Sequence, residues 1–493
     1  MPANFLHGVE TIEVSAGPLP ISLVKTAVIG LVGSAPIFQA DSADRTLNMP
    51  VLILNDNAAA QYFGSALPGY TIPQAIDAIL EQQVNGQGAG AIVVVNVFDP
   101  AVHKSSLANQ DATFGGDDTA DLGHPGAAAV VVKSADLATT YVADTHYSLD
   151  AAAGKLTRIA VAGGGGIAAG ATVKASFDYA DPSKVTAADI IGTTDVSGNR
   201  TGMMALRNAF SLFGFHPKIL IAPGFSPLAS VATELNVTAQ ALRAVAMVDA
   251  PIGTTFQQAL AGRGPNGAIA FNTSSERTIL CYPYLKVFDT ALNADRLEPY
   301  SQRLAGVMAA RDLDKGYWWS PSNCEIQGID GVERNLTAMI NDPESEVNLL
   351  NEAGIVTIFN SYGTGFRTWG NRSAAWPTVT DPKNFISIRR VADVIAESIE
   401  YSMLQHIDQP ITNAWIDSVT ESVNAFLRTL VGRGALVGGN CWFDRGRNDP
   451  AELALGHIVF NYSFMPPPPA ERITFESLVD INMLKKLGNP AAA

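Results

Sequence analysis

The chain has 493 residues, of which 47% are hydrophobic and only 16% charged, with a formal net charge of −15. Its length indicates about three domains, and its acidity argues against a protein that tracks nucleic-acid phosphates. The longest apolar runs, 26–38 and 90–98, are shorter than the ~20 residues of a membrane span. We therefore expect no direct nucleic-acid binding and no stable membrane insertion. Because charged residues are scarce, we expect much apolar surface to be buried between subunits.

The cysteines and histidines give no sign of a disulfide framework or a metal site. Cys281, Cys324 and Cys441 are far apart and odd in number, which is typical of a reducing compartment. The histidines have neither HxxxH nor HExxH spacing, and no two cysteines form CxxC. We expect no metal and no cofactor. The stretch MPANFLHGVE has no basic segment before an apolar core, so no signal peptide is expected.

Strands and helices alternate along two parts of the chain. A buried strand at 26–36, a helix at 72–83 and the β-branched run AIVVVNVF at 91–98 predict a parallel sheet with right-handed crossovers. The alternation returns later, with helices predicted at 202–214, 233–245, 254–264, 299–312 and 342–353, and strands at 218–225, 246–251, 268–272, 278–288 and 355–360. We predict one discontinuous α/β domain over 25–100 and 185–378.

The intervening residues, 101–184, predict a small inserted all-β domain. Short strand-like stretches at 127–134, 145–150, 155–161 and 171–181 are separated by turn signals, including Gly163–Gly166. An insertion of this kind at a loop is well tolerated. Carbohydrate binding by this domain remains an alternative function, although several of its aromatic residues are expected in its core: Phe114, Tyr141, Tyr147, Phe177 and Tyr179.

The end of the chain predicts a compact α+β domain and two extended arms. Residues 379–465 contain two apolar helical stripes followed by strand-like stretches at 434–444 and 452–464. After the four prolines at 466–469, the segment ERITFE alternates like a strand, with Ile473 and Phe475 on one face. We call residues 1–24 the N-terminal arm and residues 466–493 the C-terminal arm.

Two enzyme interpretations have weak support. The glycine-rich stretches GQGAG at 86–90 and Gly163–Gly166 lack the context of a nucleotide loop and favour turns. A serine hydrolase on the α/β domain remains an alternative function, but there is no GxSxG elbow, and GTTF at 253–256 and NTSS at 272–275 are poor substitutes. The stretch 361–377 favours a tight hairpin, with Trp369 and Trp376 packed at a domain junction and Arg367 and Arg372 making charge-assisted contacts.

Several stretches together resemble one family. KTAVIGLVGSAP at 25–36, GTGFRTWGNRS at 363–373 and the long segment from GALVGGNCWFD to PPPPAERITF at 434–475 resemble the tail sheath proteins of contractile-tailed bacteriophages and related pyocins. The resemblance covers essentially the whole chain and is weakest at 100–185. It implies a structural protein without enzyme activity and a subtilisin-like topology for the central domain. Residues Arg367, Trp369, Gly370 and Arg372 would form a structural junction.

The resemblance also implies partners and a location. Subunits would polymerise helically around the tail tube protein, contact baseplate and tail terminator proteins, and contract to drive the tube through the host envelope. The virion tail would be assembled in the bacterial host cytoplasm. The arms would donate strands to neighbouring copies, and the α+β domain would face the tube, where Arg389 and Arg390 are candidate contacts. An ordinary solvated role, or a salt bridge within the same domain, is the favoured alternative for those two arginines. The arm residues are Val9, Ile12, Val14, Arg472, Ile473, Thr474, Phe475 and Glu476.

Overall fold

The computed structural model describes residues 21–160, 166–289 and 293–487. The first part of the chain supplies three strands of the main sheet and two helices that pack against this sheet. The elements are β1 Val28–Gly33, β2 Pro50–Ile53, α1 Asp56–Phe63, α2 Ile72–Leu80, β3 Gln83–Val84, β4 Gln87–Gly88 and β5 Ala91–Asn96. Here the predicted strands at 26–36 and 91–98 and the helix at 72–83 are confirmed, and β1 pairs with β5 in parallel.

Residues 104–180 form two small antiparallel sheets. Their strands are β6 Lys104–Thr113, β7 Thr119–Asp121, β8 Ala128–Ser134, β9 Thr140–Tyr141, β10 Tyr147–Asp150, β11 Lys155–Arg158 and β12 Thr172–Ala180. One sheet has the order β6-β12-β8-β9 and the other β10-β11-β7. Phe114, Leu122, Leu156 and Phe177 lie in a core that belongs to these strands alone. Strand β6 was not predicted, because KSSLANQDAT has few apolar residues to mark it.

The chain then returns to the main sheet. Its elements are α3 Ala187–Ile191, α4 Ala209–Phe213, β13 Ile219–Ile221, α5 Ala229–Ala241, β14 Val245–Asp249, α6 Phe256–Ala261, β15 Thr278–Cys281, β16 Leu285–Asp289, β17 Ala294–Glu298, α7 Tyr300–Asp314, β18 Gly331–Val332, α8 Glu346–Glu352, β19 Ile355–Ser361 and β20 Gly365–Trp369. The eight strands of the sheet run in the order β2-β5-β1-β13-β14-β15-β19-β20. The six inner strands are parallel, and β2 and β20 pair antiparallel at the two edges.

Hydrophobic cores cover both faces of this sheet. Val28, Val93 and Leu220 point into one core, and Ile29, Val94 and Ile221 point into the other. Burial on both faces requires apolar residues at successive positions, which explains the unbroken runs VIGLVG and AIVVVN. These runs are the strongest structural signal in the sequence.

Four predicted elements differ from the structure. The strand-like stretch at 452–464 begins within a short helix, Pro450–Ala454, and is a strand only from Phe460. The strand at 268–272 is wrong, because these residues form turns, and the carbonyl of Phe271 accepts a hydrogen bond from Arg263 at 2.7 Å. The single strand at 278–288 is divided into β15 and β16 around Pro283, which has no N–H to donate to a ladder. The helix at 202–214 begins as a 3-10 helix, Gly202–Asn208.

The last part of the chain packs two long helices against a β-hairpin. It contains α9 Ile386–Met403, α10 Asn413–Gly432, β21 Gly438–Phe443, α11 Pro450–Ala454 and β22 Phe460–Met465. Val391, Ile395, Phe426 and Leu427 lie in their common core. Further 3-10 helices span Ile37–Gln39, Pro182–Lys184, Pro382–Asn384, Leu404–His406, Arg445–Arg447 and Ile481–Lys486.

Candidate assembly surfaces

The C-terminal arm carries an unusual number of exposed apolar side chains. From residue 466 to 480 the backbone has no regular secondary structure. Phe475 is 89% and Val479 91% exposed. The exposed set also includes Ile473, Leu478, Ile481, Met483, Leu484 and Leu487. A soluble chain rarely leaves so many adjacent apolar side chains in water, so this segment marks a contact surface.

The hairpin of β21 and β22 offers an incomplete sheet. The two strands pair over six positions, from Gly438 with Met465 to Phe443 with Phe460. Helix α10 covers one face, where Leu427 packs with Cys441. Neither outer edge pairs with a further strand of the described residues. An open edge presents unpaired N–H and C=O groups that can accept an added strand.

Arg372 holds the beginning of the C-terminal arm. Its guanidinium lies between two aromatic rings, 3.9 Å from the ring centroid of Trp376 and 4.2 Å from that of Phe385. Its Nε donates to both carboxylate oxygens of Glu471, at 2.9 and 3.1 Å, and Nη2 donates to the same carboxylate. Stacking and bidentate pairing together use the two properties that distinguish arginine from lysine.

The rest of the 361–377 stretch forms a hairpin at the edge of the main sheet. Trp369 on β20 packs against Phe359 on β19 with ring centroids 4.5 Å apart. Arg367 donates to the carbonyls of Thr364 at 3.2 Å and Asn323 at 3.0 Å. Gly370 has a φ of +129°, and an added Cβ would lie 2.7 Å from the side-chain oxygen of Asn351. These contacts agree with the interpretation of the stretch as a tight hairpin with packed aromatic residues.

Helix α9 joins the main sheet through buried ion pairs. Arg390 is bound to Asp312, with Nη1 2.7 Å from Oδ1. Arg389 donates to Glu276 at 2.6 Å and to Asp393 at 2.8 Å, and its side chain is only 11% exposed. The expectation that Arg389 and Arg390 face a tube is not supported by this geometry, because both guanidinium groups are occupied inside the chain. Glu276 and Asp312 are distant in sequence, so no local pattern could have revealed them, whereas Asp393 lies four residues after Arg389 on the same helix.

The candidate residues of the N-terminal arm, Val9, Ile12 and Val14, lie outside the described residues. The end of that arm is described from residue 21. Ile21 and Val24 pack against the core beneath α9. The backbone N–H groups of Ser22 and Val24 donate to Ser402 and Ser398 on α9, at 3.3 and 3.4 Å. The chain therefore enters the main sheet along the surface of α9.

The stretches considered for a hydrolase serve structural purposes. Thr255 caps α6, and Ser275 donates to the side chain of Asn236 at 2.5 Å. Asp249 is fully buried, which raises the pKa of its carboxyl, and it accepts hydrogen bonds from Ser226 and Ser301. The backbone N–H of Ser301 also donates to Asp249 at 2.8 Å, so the carboxylate holds the start of α7. No histidine of the described residues is bonded to this cluster.

Two kinds of feature are absent from the described residues. No helix there is long and apolar enough to cross a membrane. No cluster of three or more histidine, cysteine, aspartate or glutamate side chains there could hold a metal ion.

Comparisons with known proteins agree along the chain. The family model for the phage tail sheath protein central domain matches residues 183–374, and the model for the phage tail sheath C-terminal domain matches residues 378–479. The tail sheath protein of Burkholderia phage BcepMu is 54% identical over 489 residues, with 99% of each chain covered. The chain belongs to the phage tail sheath family. A family of unknown function matches residues 102–189 of this sheath protein.

Solved structures show the same fold in other sheaths. The sheath complex of an extracellular contractile injection system, PVC, in its contracted state superposes with a TM-score of 0.59 at 16% identity, covering 98% of this chain and 100% of that one. The helical sheath of the anti-feeding prophage in its contracted state gives a TM-score of 0.58 at 15% identity, with 97% and 100% covered. The family places this protein in the contractile tail as a structural component and not an enzyme.

Proposed function

We propose that this sheath protein polymerises helically around the tail tube and that its arms donate strands to neighbouring copies. One observation carries the proposal: within a single chain, an extended arm with exposed apolar side chains accompanies a two-stranded sheet with open edges. Residues Arg472, Ile473, Thr474, Phe475 and Glu476 would supply the added strand. Val9, Ile12 and Val14 would do the same for the N-terminal arm.

The strand contact would combine main-chain hydrogen bonds with apolar burial. On a paired strand Ile473 and Phe475 point to the same face, and Thr474 and Glu476 point to the other. Full burial of one large apolar side chain contributes about 1.5–3 kcal/mol, from which the cost of ordering the arm must be subtracted. Several such side chains would therefore hold a neighbour firmly while the rest of the interface changes.

A head-to-tail contact of this kind does not close on itself and generates a helical lattice. We propose that subunits move as nearly rigid bodies from an extended to a contracted lattice, driven by greater burial between subunits. The tail tube, baseplate and tail terminator proteins would be its partners. Assembly would take place in the host cytoplasm, and contraction would drive the tube through the cell envelope.

The domain layout remains part of this proposal. We assign 25–100 and 185–378 to a subtilisin-like α/β domain, 101–184 to an outward insertion, and 379–465 to a tube-facing domain. The separate core of residues 104–180 and the six parallel strands of the main sheet support these limits. The N-terminal arm, 1–24, and the C-terminal arm, 466–493, would link subunits.

Deletion of residues 471–493 tests the strand-donating role. The truncated protein should remain folded and soluble, because the arm adds little to the core of its own chain, but it should form no sheath tubes in electron micrographs. The matched point variant is Phe475→Asp, with Val196→Asp as the control, since Val196 is also fully exposed but lies in a turn. Normal tubes from the truncated protein would refute the assignment of the C-terminal arm.

A further inference from the structure

We propose that the Arg372–Glu471 ion pair clamps the root of the C-terminal arm and prevents the arm from completing the sheet of its own chain. The inference rests on the strand donation proposed above. It adds an explanation of why the arm pairs with a second copy and not with its own chain, and it assigns this selectivity to Arg372 and Glu471.

Self-pairing is a real competitor for strand donation. The strand segment begins only seven residues after the end of β22, at Arg472 against Met465. A strand on a short flexible tether has a local concentration in the millimolar range near its own sheet. Because both edges of the β21–β22 hairpin are open in the described residues, an unrestrained arm would occupy one of them. Its own arm would then block an edge that could receive a neighbour's strand, and the subunit would be unable to join a lattice.

The clamp acts on the residue immediately before the strand segment. Glu471 is fixed to Arg372, and Arg372 Nη1 donates to Asn384 Oδ1 at 3.0 Å, just before α9. Antiparallel pairing with β22 would require the chain to reverse direction between residues 466 and 472. The four prolines favour an extended conformation of about 3 Å per residue and oppose that reversal. With Glu471 held, the strand segment continues away from its own hairpin.

Among the described residues of the C-terminal arm, this ion pair is also the one polar attachment to the rest of the chain. Of residues 466–487, only Glu471 forms a hydrogen bond or ion pair with a described residue outside the arm. The guanidinium also stacks on the rings of Trp376 and Phe385, which restrict its orientation independently of Glu471. The rest of the strand segment has no such attachment, and it stays available to a neighbour.

Hydrogen exchange on dilute, unassembled full-length protein tests the clamp. In the unmodified protein, amides of residues 472–479 should exchange as in an unstructured chain. In Glu471→Gln and Arg372→Lys they should be protected at least about tenfold, independent of protein concentration, because the arm pairs within the chain. The same variants should form tubes roughly tenfold more slowly, an effect in the range of one lost charge-assisted hydrogen bond. The control Glu344→Gln makes the same charge change at an exposed position outside the arm and the β21–β22 hairpin, and it should behave like the unmodified protein.

The outcomes separate the clamp from strand donation. If Glu471→Gln and Arg372→Lys show no added protection and assemble at the unmodified rate, the clamp is refuted while loss of tubes on deleting 471–493 still supports donation. If the deletion protein itself forms tubes, donation fails and the clamp falls with it. Protection in Glu471→Gln that appears only at concentrations where subunits assemble would also contradict pairing within the chain.

Discussion

Asp393 and Arg277 join helix α9 to the main sheet. Nη2 of Arg277 donates to Oδ1 of Asp393 at 2.7 Å, and Nη1 donates to the second carboxylate oxygen. Asp393 also accepts from Arg389, so one buried carboxylate serves two guanidinium groups. Lys218 with Glu397 and Arg390 with Asp312 repeat the arrangement along the same helix. These pairs fix the two parts of the chain relative to each other, which suits a subunit that moves as one body.

We expect Asp393→Ala to lower the free energy of unfolding by about 3–5 kcal/mol, because it leaves the buried guanidinium of Arg277 without a carboxylate and removes one of the two carboxylates paired with Arg389. Urea denaturation of the unassembled protein measures the change. Glu421→Ala is the matched control: it breaks the Arg428–Glu421 pair, which is exposed at both ends, and should cost less than about 1 kcal/mol. Equal losses from the two substitutions would show that the α9 pairs are not a structural joint.

Two glycines of the 361–377 hairpin allow the cost of backbone strain to be distinguished from the cost of a steric clash. Gly363 and Gly370 both have positive φ, +77° and +129°, but only at Gly370 does an added Cβ meet other atoms, with Val356 Cα at 3.1 Å. Gly363→Ala should cost about 1 kcal/mol from strain alone, and Gly370→Ala about 2–4 kcal/mol. Thermal unfolding of both variants measures the difference, and a cost at Gly363 equal to that at Gly370 would remove the steric explanation.

Stability should depend on the protonation of His216. Burial, and then the neighbouring charge of Lys218, lower the pKa of this histidine from 6.5 to about 4. Between about pH 6.5 and 4 the unfolded chain therefore binds a proton that the folded chain does not, so stability falls as the pH falls through this range. The full shift corresponds to about 3 kcal/mol, and solvent screening of this half-buried ring reduces the expected loss to the order of 2 kcal/mol.

His216→Gln should flatten this part of the profile of unfolding free energy against pH. An identical slope in the His216→Gln and unmodified proteins would exclude this residue as its source.

Removal of the inserted strands should spare assembly. Lys104 at the start of β6 pairs with Ala180 at the end of β12, so the two ends of the segment lie side by side and a short linker can replace residues 102–183. The segment also has its own hydrophobic core, so the deletion removes that core as a whole. Electron micrographs of the shortened protein should show tubes, and the loss of all polymerisation would place the insertion in the lattice contacts.

The sequence predicts the main sheet well because its strands are buried on both faces. In runs such as AIVVVN, adjacent apolar residues are buried. In helix α2, the buried residues form a regular apolar stripe. Strand β6 was missed because only Ala112 of its ten residues is buried, and 268–272 was misassigned because two apolar residues there pack in a turn.

The candidate site was less predictable, since its partners are far apart in sequence. Arg372 is 99 residues from Glu471, and Arg390 is 78 residues from Asp312. No periodicity or motif joins such pairs, although the composition of the 361–377 stretch does indicate packed tryptophans and paired arginines. The extended C-terminal arm was readable from the four prolines and the alternating segment after them, whereas its attachment through Glu471 was not.

The most direct test is to find what Phe475 contacts in assembled tubes. A photoreactive benzoylphenylalanine at position 475, in tubes grown from mixed isotope-labelled and unlabelled subunits, reports both the contacted residues and whether they belong to another copy. We expect cross-links to residues 438–465 of a different subunit, because those residues form the incomplete sheet. Cross-links to the hairpin of the same chain, or to surfaces outside it, would contradict strand donation between copies.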